Sequence, residues 1–243
     1  MVDEIMKNIV EGTTPVIYVA KIADFPIGNL APLLGDAERV RLDRFRQTVD
    51  KERHALAHSL KRIVISRYVS CAPSELVFSQ SSFGKPFCLH SKAPHFNLSH
   101  SGDWVVLAVS TEGEVGVDVE FVREFDTDGI IRRIGSPREI NIYQNSDSPK
   151  QCFLRLWTQK EAISKACGQG ISVGLSSIPC SGEIGAHLLS FLGVSYTAYT
   201  YFFPDDGVLS YATVAHTRPE IVRVVSLPCG LFGKSFESID FAL

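Results

Sequence analysis

Val115-Gly116-Val117-Asp118-Val119-Glu120-Phe121 sets three valines against a glycine and two carboxylates at period two. That is the pattern of a strand with one buried face. Residues two apart on a strand share a face, so Asp118 and Glu120 stand side by side. Two carboxylates at that spacing repel unless a cation lies between them, and hard oxygen ligands suit Mg2+ with substrate phosphates. A solvated strand face explains the spacing equally well. Working upstream, Thr111-Glu112-Gly113-Glu114 makes a tight connection from a second β-rich run, Trp104 to Ser110. Before it, Phe96-Asn97-Leu98-Ser99-His100-Ser101 runs into a turn at Gly102-Asp103. Residues 76–80 and Pro15 to Ala20 also read as strands.

Two helices interrupt these strands. Over residues 50–69, Leu56, Leu60, Ile63, Val64 and Arg67 form a stripe at helical spacing, closed by Pro73. Residues 150–167 predict a second helix, ended by Gly168 and Gly170. On it Glu161 and Lys165 have the i, i+4 spacing of a weak surface ion pair. Glu161, however, projects near Leu154 and Trp157, while the opposite side carries Cys152, Leu156, Ile163 and Cys167. A helix apolar on both sides is largely buried, and a carboxylate there needs a partner or a metal. Residues 122–150 read as a polar region, and the remainder is β-rich: 193–203, a turn at 204–207, then 208–215. The mixture predicts an α+β (mixed α/β) fold. Each half has a long helix, a glycine-bearing connection and a hydrophobic strand, which suggests two similar lobes, 1–113 and 114–243.

Composition narrows the function. The 243-residue chain has a net charge of −3 and an isoelectric point near 6.2, against the strongly basic balance of a nucleic-acid binder. Met-Val-Asp-Glu opens the chain without a following apolar block, so no secretory signal is expected. The uncharged stretch Ile184 to Pro204 is too polar for a membrane span and reads as strand and turn. Six cysteines (Cys71, Cys88, Cys152, Cys167, Cys180, Cys229) are scattered without a CxxC pair, which predicts reduced thiols and a cytoplasmic location.

Other segments carry polar chemistry of lower specificity. Gly84-Lys85-Pro86 puts a cation in a rigid turn, as many solvated turns do. Ser99-His100 lacks a G-x-S-x-G elbow, and neighbours on an extended chain point apart, so a phosphate-binding or structural histidine fits better than a triad base. Arg39, Arg41, Arg44 and Arg46, with Arg53-His54, could receive phosphates or form a solvated face.

Taken in order, these segments resemble the 4′-phosphopantetheinyl transferase superfamily. The strand at 115–120 and Trp157-Thr158-Gln159-Lys160-Glu161-Ala162-Ile163-Ser164-Lys165 resemble its two signature motifs. Gly84-Lys85-Pro86 and Phe96–Ser101 look like two further motifs of the Sfp-type class. The resemblance runs from about residue 35 to 175. It implies a single chain of two similar lobes related by pseudo-twofold symmetry, with coenzyme A and Mg2+ (Mn2+ able to replace it) bound between them. The implied reaction moves the phosphopantetheine arm of coenzyme A onto a serine of an apo carrier protein and releases adenosine 3′,5′-bisphosphate. Asp118, Glu120 and Glu161 then resemble the metal ligands. Glu161, Lys165 and Asp118 resemble the catalytic set, with Glu161 taking the serine proton and Lys165 at the diphosphate. Arg41, Arg53, His54, Lys85, Pro86, Ser99 and His100 look like coenzyme A contacts. The implied partners are an acyl or peptidyl carrier, with no nucleic acid, no membrane and a monomeric enzyme. Two departures stand out. Ile134-Gly135 replaces a pair of aromatic residues before Ser136-Pro137-Arg138-Glu139, where a carrier is received, and Glu38 replaces a basic residue, which predicts weaker phosphate contacts. A Mg2+-dependent diphosphate hydrolase and a non-catalytic carrier-binding relative are the competing readings.

Overall fold

Strand alternation builds four layers in the computed structural model, which describes residues 15–123, 126–224 and 236–238. The first sheet contains β1 (Val16–Lys21), β4 (His95–Ser101) and β5 (Trp104–Ser110), with β10 (Glu220–Val224) and β11 (Phe236–Ser238), in the order β11-β10-β1-β5-β4. β1 pairs parallel with β10 and antiparallel with β5. The second sheet is antiparallel, with β6 (Val115–Phe121), β7 (Gly185–Phe191), β8 (Val194–Phe203) and β9 (Gly207–Thr213) in the order β6-β9-β8-β7. A small hairpin, β2 (Phe78–Gln80) with β3 (Pro86–Cys88), stands apart.

Period two decides which layer each residue joins. Tyr18, Ala20, Val105, Leu107 and Val109 face one long helix and pack with its Leu56, Leu60 and Val64. Ile17, Val19, Val106 and Ala108 face the other way, against Val115, Val117, Val119, Leu209 and Tyr211 of the second sheet. The outer side of that sheet, Tyr196, Ala198, Val208 and Ala212, packs with Phe153, Leu156, Ala162 and Ile163 of the other long helix. The layers therefore run helix, sheet, sheet, helix.

The helices are a single turn α1 (Ile27–Leu30), α2 (Asp36–Arg44), α3 (Thr48–Val69), α4 (Thr127–Ile134), α5 (Pro137–Gln144) and α6 (Pro149–Cys167). The two expected long helices are α3 and α6. Ser70 at φ 54° and Gly168 at φ 74° end them in the left-handed region. Two segments read only as basic or polar in the sequence turn out to be helical. The basic run around 39–46 is mostly helix α2. The polar region 122–150 holds α4, capped by Asp126, and α5, whose Ser136 and Glu139 form a capping box. Each has eight residues, too short a stripe for periodicity to stand out, although Ser136-Pro137-Arg138-Glu139 carries a start signal. The β-reading of 184–204 agrees with β7 and β8. No helix among the described residues is long and apolar enough to cross a membrane. The five described cysteines are free; Cys229 and the polar opening, residues 1–14, lie outside the described residues.

Gly116 lies at a close approach of helix to strand. A Cβ there would lie 2.0 Å from the Ala162 carbonyl oxygen and 2.4 Å from the Ala166 amide nitrogen. Only glycine lets the α6 backbone press onto β6, and that contact brings Glu161 and Lys165 beside the strand that carries Asp118.

Candidate active site

The site lies where the two sheets meet. β4 and β6 are the facing edges of separate sheets, with no backbone ladder between them. On β6 the odd-numbered residues turn their N–H and C=O groups away from β9, and side chains satisfy them. The Val117 N–H donates to Asn97 Oδ1 at 2.9 Å and the Val119 N–H to Ser99 Oγ at 3.4 Å. Lys165 Nζ donates to the Val117 carbonyl at 3.1 Å, and Lys85 Nζ to that of Val115 at 3.0 Å. Exposed strand edges are protected by such covers.

Asp118, 4% exposed, sits in this seam. Its Oδ1 accepts from Ser99 Oγ at 2.8 Å and from Lys165 Nζ at 2.6 Å, while its buried Oδ2 has no hydrogen-bond partner. Glu120 Oε2 accepts from Ser101 Oγ at 2.6 Å and from Arg123 Nη2 at 3.0 Å. Arg123 also donates to Ser101. Glu161 Oε1 is buried and likewise without a partner. Burial first, and then the Asp118 and Glu120 charges against the opposing pull of Lys165, push the Glu161 carboxyl above its usual pKa. Burial also raises Glu120, with Asp118 adding to it and Ser101, Arg123 and Lys165 opposing. The three carboxyls are thus within electrostatic reach of one another. Among the described residues, no three His, Cys, Asp or Glu side chains converge tightly enough to hold an ion. The chemistry of the donor set still fits a divalent cation: three carboxyls with hard oxygens, two of those oxygens buried without donors.

The remaining predicted residues divide. Ser99 belongs to the cluster. His100 is exposed next to it on β4, and desolvation, then the Arg53 charge, lowers its pKa, with Lys165 and Asp118 also in range. Arg53 is held by Gly102 O, to which its Nε and Nη2 donate at 3.1 and 2.8 Å, and by Asp50 at 2.9 Å. Lys85, at the head of β3 with Pro86, is committed to Glu114 and to the Val115 and Ala166 carbonyls. His54 is buried, its Nε2 donating to the Glu38 carbonyl at 2.9 Å. Arg41 lines a separate open depression of about 430 Å³ with Ala37, Val40, Arg44 and Phe45. Sequence reasoning missed Asn97, Ser101 and Arg123. The signal for the first two was period two: Asn97, Ser99 and Ser101 share one side of β4.

Glu38 needs correcting. It is buried and structural, with Lys61 Nζ and Arg62 Nε each 2.6 Å from its carboxylate, His58 Nδ1 at 3.0 Å and the Gly35 amide at 2.9 Å. Burial alone would raise its pKa, but hydrogen bonds from His58, Lys61 and Arg62 and the Lys61 charge hold it well below the usual carboxylate range. A depressed folded-state pKa contributes stability above the unfolded-state value near 4.5, and that stability is lost as pH falls below it. Glu38→Gln should cost about 2 kcal/mol at pH 7 and flatten the acid limb of a urea-midpoint profile; an unchanged limb below pH ~4.5 would rule this account out.

Comparison with known proteins supplies the family context. Residues 114–211 match the profile of the 4′-phosphopantetheinyl transferase superfamily, and residues 28–112 match that of a 4′-phosphopantetheinyl transferase N-terminal region. The 4′-phosphopantetheinyl transferase psf-1 of Bacillus pumilus is 37% identical over 203 residues, covering 83% of this chain and 77% of that protein. The 4′-phosphopantetheinyl transferase Sfp of Bacillus subtilis is 33% identical over 196 residues, covering 78% and 86%. With slr0495 of Synechocystis the alignment is 34% identical over 151 residues and spans 61% of that protein. These relatives give no support to a hydrolase or to a non-catalytic carrier binder.

Proposed function

The chain belongs to the 4′-phosphopantetheinyl transferase superfamily, and we propose that it transfers the phosphopantetheine arm of coenzyme A to a serine of an apo carrier protein. The observation that carries this reading is the meeting of Asp118, Glu120, Glu161 and Lys165 across one seam, with two buried carboxylate oxygens lacking donors.

Each side chain has a duty. The carrier serine oxygen attacks the phosphorus next to the pantetheine, the bond to the bridging oxygen breaks, and adenosine 3′,5′-bisphosphate leaves. Glu161, raised by burial, accepts the serine proton directly or through a water. Lys165 lies in the same seam, where a cation opposes charge gathering on the diphosphate and the leaving group. Ser99 and Ser101 orient Asp118 and Glu120 by donating to them. His100 and Arg53, beside this cluster, face the phosphates of coenzyme A. Asp118, Glu120 and Glu161 would hold Mg2+, which when bound neutralises charge on the phosphoryl oxygens. The enzyme works as a cytoplasmic monomer with two lobes meeting at the seam; the chain passes from the first to the second near Gly113 and comes back after β9, because β10 and β11 complete the first sheet. Ile134 is buried and Gly135 ends α4, so this pair offers a carrier no aromatic side chain.

The test incubates the protein with coenzyme A, Mg2+ and apo carriers of fatty-acid, polyketide and peptide type. The expected result is a mass gain of one phosphopantetheinyl group on at least one carrier. No gain on any of them would overturn the proposal.

A further inference from the structure

The seam is covered by two kinds of side chain. Lys85, Ser99 and Lys165 are motif residues already considered. Asn97 is different: it touches no carboxylate, is 6% exposed, and spends its amide oxygen on a backbone group of the opposite sheet, the Val117 N–H at 2.9 Å. Val117 immediately precedes Asp118, and its carbonyl receives Lys165. Asn97 therefore holds the peptide from which Asp118 projects, while Ser99 and Ser101 of the same strand bond the residues that follow. Without a ladder between β4 and β6, such side chains set the local offset between the two strands. A strand displaced by even part of a residue repeat, ~3.3 Å, would carry Asp118 away from Ser99 and Lys165.

We propose that Asn97 is a positioning residue, which sets the register of β6 against β4 and so places Asp118 for the reaction. It stands in for a missing strand neighbour at one amide. The inference rests on the transferase reading above, and its test has an arm that needs no substrate.

Asn97→Leu keeps the size of the side chain and removes the acceptor. The amide of Val117 should exchange with solvent at least ~10-fold faster in this variant. The Gly116 and Asp118 amides, which point to β9, should keep their protection. With a carrier that the wild type modifies, kcat should fall about 10- to 100-fold, as small displacements of reacting groups do, while KM for coenzyme A stays within ~2-fold. Asn97→Ser, whose oxygen is too short to reach, should behave in the same way and serves if the leucine variant does not fold. Wild-type kcat in a folded variant, unchanged Val117 exchange, or a uniform rise in exchange across β6 and β9 would overturn the inference. Loss of the fold in both variants would make Asn97 a stability residue and overturn it too. A wild type that modifies no carrier would instead defeat the transferase reading, and the exchange result would stand apart from it.

Discussion

Asp118→Ala and Glu161→Ala should each lower kcat/KM for carrier modification at least ~1,000-fold, about 4 kcal/mol of transition-state stabilisation, in proteins that stay folded. Each lost group faces the seam and not the hydrophobic layers. Removing Asp118 frees Lys165, whose side chain is 25% exposed and can turn to water, and leaves Ser99 with the Val119 amide. Removing Glu161 deletes a carboxylate whose Oε1 has no donor, so the fold loses no hydrogen bond there. Circular dichroism and the urea midpoint should stay close to wild type. Activity within tenfold of wild type in both variants would refute the catalytic assignment. Glu161→Gln, which keeps the shape of the side chain but loses both the proton acceptor and the negative charge, should be impaired as well.

Lys160→Met should destabilise the protein by ~3–5 kcal/mol, the cost of stripping one partner from a buried ion pair. Lys160 and Glu139 have side chains 0% and 2% exposed and approach to 2.9 Å. The ammonium also donates to the Leu175 and Ile178 carbonyls at 3.0 and 2.6 Å. Glu139 in turn accepts from the amides of Cys180 at 2.9 Å and Ser136 at 2.7 Å. One pair thus ties α6, the start of α5 and the loop before β7. Methionine would leave the carboxylate buried and uncompensated. Adding Glu139→Leu should recover part of the loss, because removing both charges is cheaper than removing one. A urea midpoint for Lys160→Met within ~1 kcal/mol of wild type would sink this account. In the adjacent pair Lys160-Glu161, the lysine is spent on a buried ion pair, and the glutamate is the residue proposed for the reaction.

Much of this was readable in the residues. Period two put Asp118 and Glu120 together, and the apolar sides of the 150–167 helix marked Glu161 as a carboxylate in need of a partner; its Oε1 is buried and has none. What escaped was non-local. Lys85 looked like a turn cation because its partners, Glu114 and the Val115 and Ala166 carbonyls, lie far along the chain. Glu38 looked like a misplaced charge because Lys61 and Arg62 meet it only once α2 folds onto α3. The pairing of β10 with β1 left no local trace at all, since a parallel partner so distant in sequence shares no turn with it.

That last pairing has a consequence for synthesis. Residues 16–20 find their parallel neighbour in 220–224, near the other end of the chain. While the ribosome is still making the middle of the protein, one flank of β1 stays bare and open to adhesion. The first sheet is therefore completed only after residues 220–224 have been made, late in synthesis.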